Sequence, residues 1–329
     1  MKKIIKRTLT GLVILVAALV IFIFTSWDKR YDSPFPENKA SKDPAIIARG
    51  EYLAYGPAHC ATCHVPSPRS SAIDKGLLIP LSGGWEINIP PGSFRAPNLT
   101  PDMETGIGKL TDGQIARALR HSVRDNGRIL FPFMPFQNMS EEDVTAIISF
   151  LRSQEPVKHY VKPSTYTFLG KALSAFGVVK PVEPSGVPLK SVIIDSSSAY
   201  GQYLANSVAN CIGCHTERDL KTGVFTGQPF AGGFRIPGGA DSLSLGYAFI
   251  TPNLTPDEET GVIAAWNERS FINRFHAGRV HIGSPMPWGT FSRMNDLDLK
   301  ALYRYLHSLK PVKNKIAKTV FPPGENFPE

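Results

Sequence analysis

One sequence pattern is written twice in this chain of 329 residues, and each copy contains the motif C-x-x-C-H. The copies lie at residues 60–64 and 211–215, and they use all four cysteines of the chain. Two thiols three positions apart on a helical turn can each bond a vinyl group of one porphyrin, and the following histidine can ligate its iron. The motifs therefore predict two covalently attached haem c groups, bound by Cys60, Cys63, His64, Cys211, Cys214 and His215.

Two other kinds of site use C-x-x-C pairs, and the sequence argues against both. Zinc ribbons place their two pairs ~15–20 residues apart, whereas these motifs are separated by nearly half of the chain. A thioredoxin-like redox pair needs a βαβ setting, and the pattern around the motifs does not alternate in that way.

The repeat extends well beyond the cysteines, in the same order in both copies. The matching segments are 49–54 with 200–205, 97–102 with 252–257, 134–135 with 286–287, and 150–153 with 305–308. Tandem duplication of one module explains this order. We expect a first module at residues 44–155 and a second module, with a tail, at residues 197–329. Residues 28–43 and 156–196 are the predicted linkers, the second of which has a possible short helix near residues 168–179.

The N-terminus has the composition of a membrane segment. Four basic residues precede residues 8–27, a run without charge that is about as long as the ~20 residues needed to cross a bilayer. A cleaved signal peptide usually has an apolar core of only ~7–15 residues, so we expect an uncleaved single-pass anchor. The basic flank predicts a cytoplasmic N-terminus in a bacterial inner membrane, with the haem modules in the periplasm.

The formal net charge is +8, and four of the positive charges belong to the N-terminal flank. The remaining part of the chain has no cluster of basic residues, so nucleic acid is excluded as the expected partner.

Each module is predicted to be helical. The first helices are expected near residues 44–61 and 197–213, and short helices near 112–123 and 264–276. The last helix of each module has a start signal, because Ser140 and Asn295 are N-cap residues that precede Asp143 and Asp298 by three positions in a capping-box arrangement. Glycines recur between the motif and the next matched segment, in residues 83–85 and 232–234, where we expect loops over a haem edge.

The sixth ligand of each iron is expected to be a methionine, Met134 or Met286. Each lies at nearly the same distance after its histidine, and the proline that follows keeps the loop out of a helix. Met139 and Met294 also correspond across the repeat, but each precedes an N-cap and fits a hydrophobic staple better.

Other repeated residues have candidate roles around the haems. His121 and His276 would make low-potential bis-histidine haems if they were ligands, but helix-end hydrogen bonds are the favoured interpretation. Arg124 and Arg279 are candidates to pair with haem propionates, since a guanidinium suits a carboxylate, although a solvated helix end is an equal alternative. The backbone carbonyls of Pro97 and Pro252 are the candidate acceptors for the second N–H of the proximal histidines.

These residues together resemble the class I c-type cytochrome family. The resemblance rests on the two C-x-x-C-H motifs, on Pro-Asn-Leu at 97–99 and 252–254, on the two Met-Pro pairs and on the last helices. It implies an all-α fold of two tandem class I cytochrome c domains behind a single N-terminal transmembrane helix. It also implies that a glycine of the first helix, Gly50 or Gly201, meets an aromatic residue of the last. The Asn-Leu-Thr-Pro-Asp element resembles the multihaem cytochrome c subunits of bacterial membrane-bound alcohol and gluconate dehydrogenases, which often have three haems.

The sequence thus predicts a membrane-anchored dihaem electron carrier of a respiratory chain, without a catalytic site of its own. Its expected donor is a periplasmic or membrane-bound dehydrogenase, and its expected acceptor is a cytochrome or terminal oxidase. A dihaem redox enzyme of the peroxidase or thiosulfate-oxidising type, with one labile sixth ligand, is the alternative. A redox- or gas-sensing module is a second alternative, and carbon monoxide binding at neutral pH would favour either of them.

Overall fold

The computed structural model describes residues 1–66, 70–219, 222–238, 244–325 and 327. The helices, in chain order, are α1 (Lys2–Ser26), α2 (Pro44–Tyr55), α3 (Cys60–Cys63), α4 (Ser70–Asp74), α5 (Asp112–His121), α6 (Glu141–Ser153), α7 (Phe168–Ala175), α8 (Ser198–Tyr203), α9 (Cys211–Cys214), α10 (Glu268–His276), α11 (Trp288–Phe291) and α12 (Asp296–Ser308). The strands are β1 (Glu86–Ile89), β2 (Gly92–Arg95), β3 (Thr165–Tyr166), β4 (Arg235–Ile236), β5 (Ala248–Ile250) and β6 (Val320–Phe321).

The first and last helices of each module cross in direct backbone contact. A Cβ atom added to Gly50 of α2 would lie 1.9 Å from the carbonyl oxygen of Ala146 in α6, and one added to Gly201 of α8 would lie 2.0 Å from that of Ala301 in α12. Any larger residue would separate the helices, so glycine is required at both crossings. Phe150 and Tyr305 are the aromatic residues at these contacts, in agreement with the resemblance to c-type cytochromes.

The first helix of each module is shorter than the sequence pattern indicated. Helix α2 ends at Tyr55 because Gly56 and Pro57 follow, and the residue before a proline is disfavoured in the helical region. A new helical turn, α3, then begins at Cys60. In the second module α8 continues into a π-helical turn, Leu204–Val208, before α9 begins at Cys211.

Each module also contains a small antiparallel sheet, which corrects the expectation of a purely helical fold. Strands β1, β2 and β3 form one sheet, with Glu86 opposite Arg95, and strands β4, β5 and β6 form the other. Strands of two to four residues have too few side chains to show a period of two, so the sequence pattern did not reveal them. Strands β3 and β6 follow the last helix of each module, so the chain returns there to complete the sheet.

Each last helix begins with the predicted N-cap, but the reciprocal half of the capping box is absent. The Ser140 hydroxyl accepts the Asp143 N–H at 3.2 Å, while the Ser140 N–H donates at 3.0 Å to the Tyr203 hydroxyl of the other module. The Tyr203 hydroxyl also lies 2.8 Å from the Asp143 carboxylate. A tyrosine therefore relays between the two groups that a capping box would join directly.

The same arrangement occurs at the start of α12, where the tyrosine comes from the first module. The Asn295 N–H donates at 3.1 Å to the hydroxyl of Tyr52 in the first module, and that hydroxyl donates at 2.6 Å to Asp298. Because Tyr52 and Tyr203 are matching residues of the repeat, the modules meet through an approximate two-fold, isologous interface. The buried side chains of the two modules, such as Leu53, Ile147 and Leu302, belong to one contiguous hydrophobic cluster.

Helix α1 is long and apolar enough to cross a bilayer, with a mean hydropathy of 2.7 over an 18-residue window. By length and composition it is either a membrane anchor or a signal sequence. The chain that leaves it is attached to the first module, because Arg128 donates to both carboxylate oxygens of Asp28, one of them at 2.6 Å from Nε. The Tyr31 N–H also donates to the Gly127 carbonyl at 2.9 Å.

Candidate haem-binding sites

The two C-x-x-C-H motifs form matching single helical turns. The residue before each turn, His59 or Asn210, has left-handed backbone geometry with φ 42° and 52°. The N–H of each motif histidine closes the turn on the carbonyl of the first cysteine, at 2.9 Å in the first module and 2.8 Å in the second. This geometry brings both thiols and the histidine of each motif onto one short turn.

All four cysteines lie within the described residues, and none of them forms a disulfide. Burial raises the pKa of the Cys60 and Cys211 thiols to about 12. A protonated thiol is a poor nucleophile, so these two sulfurs do not have the environment of a reactive thiolate. Among residues 1–66, 70–219, 222–238, 244–325 and 327, no group of three or more His, Cys, Asp or Glu side chains is arranged to hold a metal ion.

Both proximal histidines are oriented by a proline carbonyl. His64 Nδ1 lies 2.9 Å from the Pro97 oxygen, and His215 Nδ1 lies 3.0 Å from the Pro252 oxygen. A carbonyl oxygen only accepts, so Nδ1 is the protonated nitrogen and the lone pair is on Nε2, where a ligand nitrogen needs it. Burial also lowers the pKa of both imidazoles, which favours the neutral form that a metal binds.

The first glycine of each long-loop pair packs against the proline whose carbonyl orients the proximal histidine. A Cβ atom on Gly83 would lie 2.5 Å from the Pro97 carbonyl carbon, and one on Gly232 would lie 2.5 Å from that of Pro252. The Gly83 N–H donates to the His64 carbonyl at 2.8 Å. The sequence showed that these glycines recur, but their contact with the histidine and its acceptor needed the structure.

The asparagine after each proline is buried and structural. The side-chain N–H group of Asn98 donates to the Val157 carbonyl at 2.8 Å, and that of Asn253 donates to the Val312 carbonyl at 2.8 Å. Its side-chain oxygen accepts the N–H of Thr100 or of Thr255 at 2.9 Å. The repeated Asn-Leu-Thr element therefore joins the proline loop to the chain that follows the last helix.

The two candidate axial methionines are partly buried and pack against the core. The Met134 carbonyl accepts from the Gln137 side chain at 2.9 Å, and the Met286 carbonyl accepts from the Trp288 N–H at 2.7 Å. Met139 and Met294 are 0% and 1% exposed, as staple residues should be. The ligand role of Met134 and Met286 stays a prediction.

The repeated histidines outside the motifs have other partners. His121 Nδ1 lies 2.7 Å from Glu183, and His276 lies between the Ser292 carbonyl at 3.1 Å and Asp296 at 2.9 Å. The hydrogen bond to Asp296 raises the pKa of His276. These contacts agree with the favoured helix-end interpretation of both histidines.

The two arginines predicted near propionates differ in their surroundings. Arg279 Nε lies 2.6 Å from Asp74 of the first module, and its guanidinium also donates to the Ser284 carbonyl. Arg124 is partly buried, and its backbone N–H donates to the Arg128 carbonyl at 2.8 Å. A propionate contact stays a prediction for both, and for Arg279 it would have to be shared with Asp74.

Among the buried donors that have no hydrogen-bond partner in the described residues, one in each module lies near the loop glycines and fits an anionic group of the cofactor. They are Trp85 Nε1 in the first module and Arg218 Nε in the second. The Arg218 guanidinium carbon lies 4.7 Å from the centre of the Phe234 ring, and burial lowers its pKa. Trp85 directly follows the glycine pair of the first module, and Phe234, which Arg218 contacts, directly follows that of the second. Each module therefore has an unsatisfied donor beside its glycine pair. Haem propionates would satisfy such donors, since a buried donor without a partner is costly.

Residues 47–155 match the cytochrome c family. They form a cytochrome c domain. This match covers the first motif, Pro97 and Met134, and it implies covalently bound haem c.

Curated relatives extend the similarity over most of the chain. The cytochrome c subunit of the quinone-dependent alcohol dehydrogenase of Gluconobacter oxydans is 29% identical over 283 residues, which are 82% of this chain and 56% of the relative. The cytochrome c subunit of gluconate 2-dehydrogenase of Pantoea cypripedii is 30% identical over 283 residues, 80% of this chain and 60% of the relative. A diheme cytochrome c-type protein of Cereibacter sphaeroides is 26% identical over 288 residues, 82% of this chain and 90% of the relative.

These findings confirm the resemblance to c-type cytochromes and to the cytochrome c subunits of dehydrogenases. The chain spans 56% to 60% of the length of the alcohol and gluconate dehydrogenase subunits that it matches. Haem binding and electron transport follow from membership of the first module in the cytochrome c family.

The second module contacts the cytochrome c domain beside the C-x-x-C-H turn of that domain. The ring of His59 lies 5.7 Å from that of Phe291 in α11, the helix that follows Met286. Arg293 donates to the Gly76 carbonyl at 2.9 Å, and the Arg279–Asp74 ion pair lies in the same region. The motif of the first module and the methionine loop of the second therefore lie against each other.

Proposed function

We propose that the chain is a membrane-anchored dihaem cytochrome c that takes electrons from a periplasmic or membrane-bound dehydrogenase and passes them to a downstream cytochrome or terminal oxidase. The observation that carries the proposal is the pairing of a motif histidine with a proline carbonyl, at 2.9 Å and 3.0 Å in the two modules. An imidazole oriented in this way has its second nitrogen available for iron.

A second haem in the second module is supported by the identical local geometry. His215, Pro252 and Gly232 have the same contacts as His64, Pro97 and Gly83. Similarity to a protein named as a diheme cytochrome, over 90% of its length, points the same way.

Two ligands on each iron favour a carrier over an enzyme. With His64 and Met134 on one iron, and His215 and Met286 on the other, neither haem would have an open position for a substrate. Haem supplies one-electron chemistry, while the protein orients the group, sets its axial ligands and controls its exposure. A thioether ligand is expected to raise the reduction potential relative to a second imidazole.

The interface between the modules supports electron transfer within the chain. Tyr52 and Tyr203 each bond the start of the other module's last helix, and both contacts are buried or partly buried. A shared core and reciprocal hydrogen bonds would hold the two haems at a fixed separation.

The membrane and partner assignments complete the proposal. Helix α1 is the anchor, its basic flank is cytoplasmic, and the haem modules are periplasmic in a bacterial inner membrane. A dehydrogenase is the proposed donor because relatives are named as cytochrome subunits of alcohol and gluconate dehydrogenases.

The test uses the full-length protein purified from membranes. Mass spectrometry and the haem absorption of the denatured protein should give two haems per chain, and Cys211→Ala with Cys214→Ala should remove one of them. The reduced protein should not bind carbon monoxide at neutral pH and should not turn over peroxide. A single haem in the unmodified chain would refute the dihaem assignment, and rapid peroxide turnover would favour the enzyme alternative.

A further inference from the structure

Helix α7 has the reverse of the polarity expected for a helix on a water-exposed surface. Its small residues Gly170 and Ser174 are buried against the first module, whereas Phe168, Leu169 and Phe176 are 53%, 46% and 59% exposed. A surface helix in water normally turns its large apolar side chains inward. The outward face of α7 therefore needs an apolar surrounding.

The inward face of α7 is fitted closely to the protein, so the helix cannot simply turn over. A Cβ atom on Gly170 would lie 2.0 Å from the carbonyl oxygen of Pro91. The Thr167 hydroxyl caps the helix by accepting the Gly170 N–H at 3.3 Å and donates to the Pro90 carbonyl at 2.7 Å. These contacts fix which side of the helix faces outward.

The exposed aromatic residues of α7 lie beside the C-terminal part of α1. The rings of Phe176 and Phe22 are 5.5 Å apart, and those of Phe168 and Phe24 are 6.3 Å apart. The Lys171 ammonium lies 4.5 Å from the centre of the Phe24 ring. Since Phe22 and Phe24 are themselves exposed, the two helices present one continuous apolar surface.

The end of α1 has the residues of a membrane–water boundary. Trp27 follows the helix, and its ring lies 5.5 Å from that of Tyr166, the last residue of β3. Tryptophan and tyrosine are enriched at the level of the lipid headgroups. The apolar face of α7 would then lie just inside this level, at the depth of an interfacial amphipathic helix.

We propose that α7 is a second membrane contact, in which Phe168, Leu169 and Phe176 insert into the outer leaflet of the bilayer that α1 crosses. The proposal rests on the anchor role proposed for α1. Lipid is the occupant because the patch continues the surface of a helix whose own side chains would face lipid. The first module is thereby docked on the membrane in one orientation.

One consequence concerns the methionine loop of the first module. Tyr166 contacts Phe94 at 5.4 Å between ring centres, and Phe94 contacts Phe131 at 4.5 Å. Phe131 lies three positions before Met134. The docking therefore turns this loop toward the membrane, where a membrane-bound donor would deliver electrons.

The test places one spin label at a time on the full-length holoprotein in lipid nanodiscs. In the holoprotein as proposed, haem attachment consumes all four native cysteines. The spin label therefore reacts only with the single added cysteine. The positions are Phe176→Cys in α7, Val187→Cys as a control in the same linker with 97% exposure, and Leu12→Cys in α1 as the lipid reference. The measurement is the accessibility of each label to oxygen, which partitions into lipid, and to a water-soluble nickel chelate.

We expect the label at position 176 to resemble that at position 12, with oxygen accessibility above nickel accessibility, and the reverse at position 187. A water-exposed label at 176 beside a lipid-exposed label at 12 would overturn the docking and leave the anchor intact. A label at 176 that neither reagent reaches would also overturn it, because protein would then cover the helix. A water-exposed label at position 12 would refute the anchor itself, and with it the docking.

Discussion

Two buried carboxylates lie at the interface between the modules, and in the described part of the chain only Asp143 forms an ion pair. The Arg49 guanidinium bonds Asp143 through Nε at 2.9 Å and through Nη2 at 3.1 Å. The residue that matches Arg49 in the repeat is Tyr200, so Asp298 has no equivalent partner. Asp298 accepts from Tyr52 at 2.6 Å, while its Oδ1 atom is buried without a partner among the described residues. Burial raises the pKa of Asp298.

This asymmetry predicts unequal effects of the same Asp→Asn substitution on the free energy of unfolding. Asp143→Asn leaves the Arg49 charge at the interface without its counter-ion. The two side chains are 18% and 5% exposed, and breaking a buried ion pair costs about 3–5 kcal/mol, so we expect a loss of about 3 kcal/mol in the free energy of unfolding. Asp298→Asn removes a buried charge that forms no ion pair with a described residue and keeps an oxygen for Tyr52, so the free energy of unfolding should change by less than about 1 kcal/mol or increase.

The pH dependence of Asp298 gives a second signature of the same prediction. Its folded pKa lies above its unfolded pKa, so the folded protein binds this proton more tightly and the ionised group weakens the fold at neutral pH. The advantage of Asp298→Asn over the unmodified chain should therefore be largest at neutral pH. It should shrink as the pH falls through the folded pKa, where Asp298 itself becomes neutral.

Thermal unfolding of the full-length holoprotein in detergent, followed by circular dichroism, measures both effects. About 2–4 °C of melting temperature corresponds to 1 kcal/mol for a domain of this order of size, so Asp143→Asn should melt at least about 4 °C below Asp298→Asn. The haem absorption of both variants should be unchanged. Equal losses in the two variants, or a larger loss in Asp298→Asn, would refute the assignment of the single cation to Asp143.

Three further predictions concern the haem sites. Met134→His should lower the midpoint potential of one haem only, in a redox titration where Met139→Leu leaves both potentials unchanged. Gly83→Ala should reduce haem incorporation and the melting temperature more than Gly177→Ala, because both glycines have positive φ (75° and 72°) but only Gly83 has a backbone carbonyl within 4 Å of the added Cβ. Equal losses in Gly83→Ala and Gly177→Ala would mean that the positive φ alone, and not the contact with Pro97, determines the effect. Arg218→Gln should lower the potential of the other haem, since a cation beside a propionate favours the reduced state; an unchanged potential would count against the propionate contact.

The sequence was sufficient for the parts of the molecule that depend on local pattern. The helix starts at Ser140 and Asn295 and the burial of Met139 follow from residue types at fixed spacings, whereas the glycine crossings at Gly50 and Gly201 were expected only from the resemblance to c-type cytochromes. The relation to c-type cytochromes followed from motifs of this kind. The helix starts and the C-x-x-C-H turns each involve a short stretch of chain whose geometry its own residues determine.

The features that the sequence did not reveal depend on segments distant along the chain. The sheets are built from strands as short as Thr165–Tyr166, which have no detectable period. The tyrosine relays join residues 246 and 60 positions apart, and nothing near Tyr52 or Tyr203 indicates a partner in the other module. Helix α7 was expected, but its outward apolar face becomes visible only when the surface beneath it is known.

The tyrosine relays also bear on why the modules are duplicated within one chain. The last helix of each module has an N-terminal N–H group, at Ser140 or Asn295, that is satisfied by a hydroxyl from the other module. A module on its own would have to satisfy this group with water and would expose part of the shared core. Covalent linkage makes the second module's contact intramolecular and so raises its effective concentration. Each helix that closes a proposed haem pocket is therefore stabilised by the neighbouring module, so loosening one pocket is expected to loosen the other.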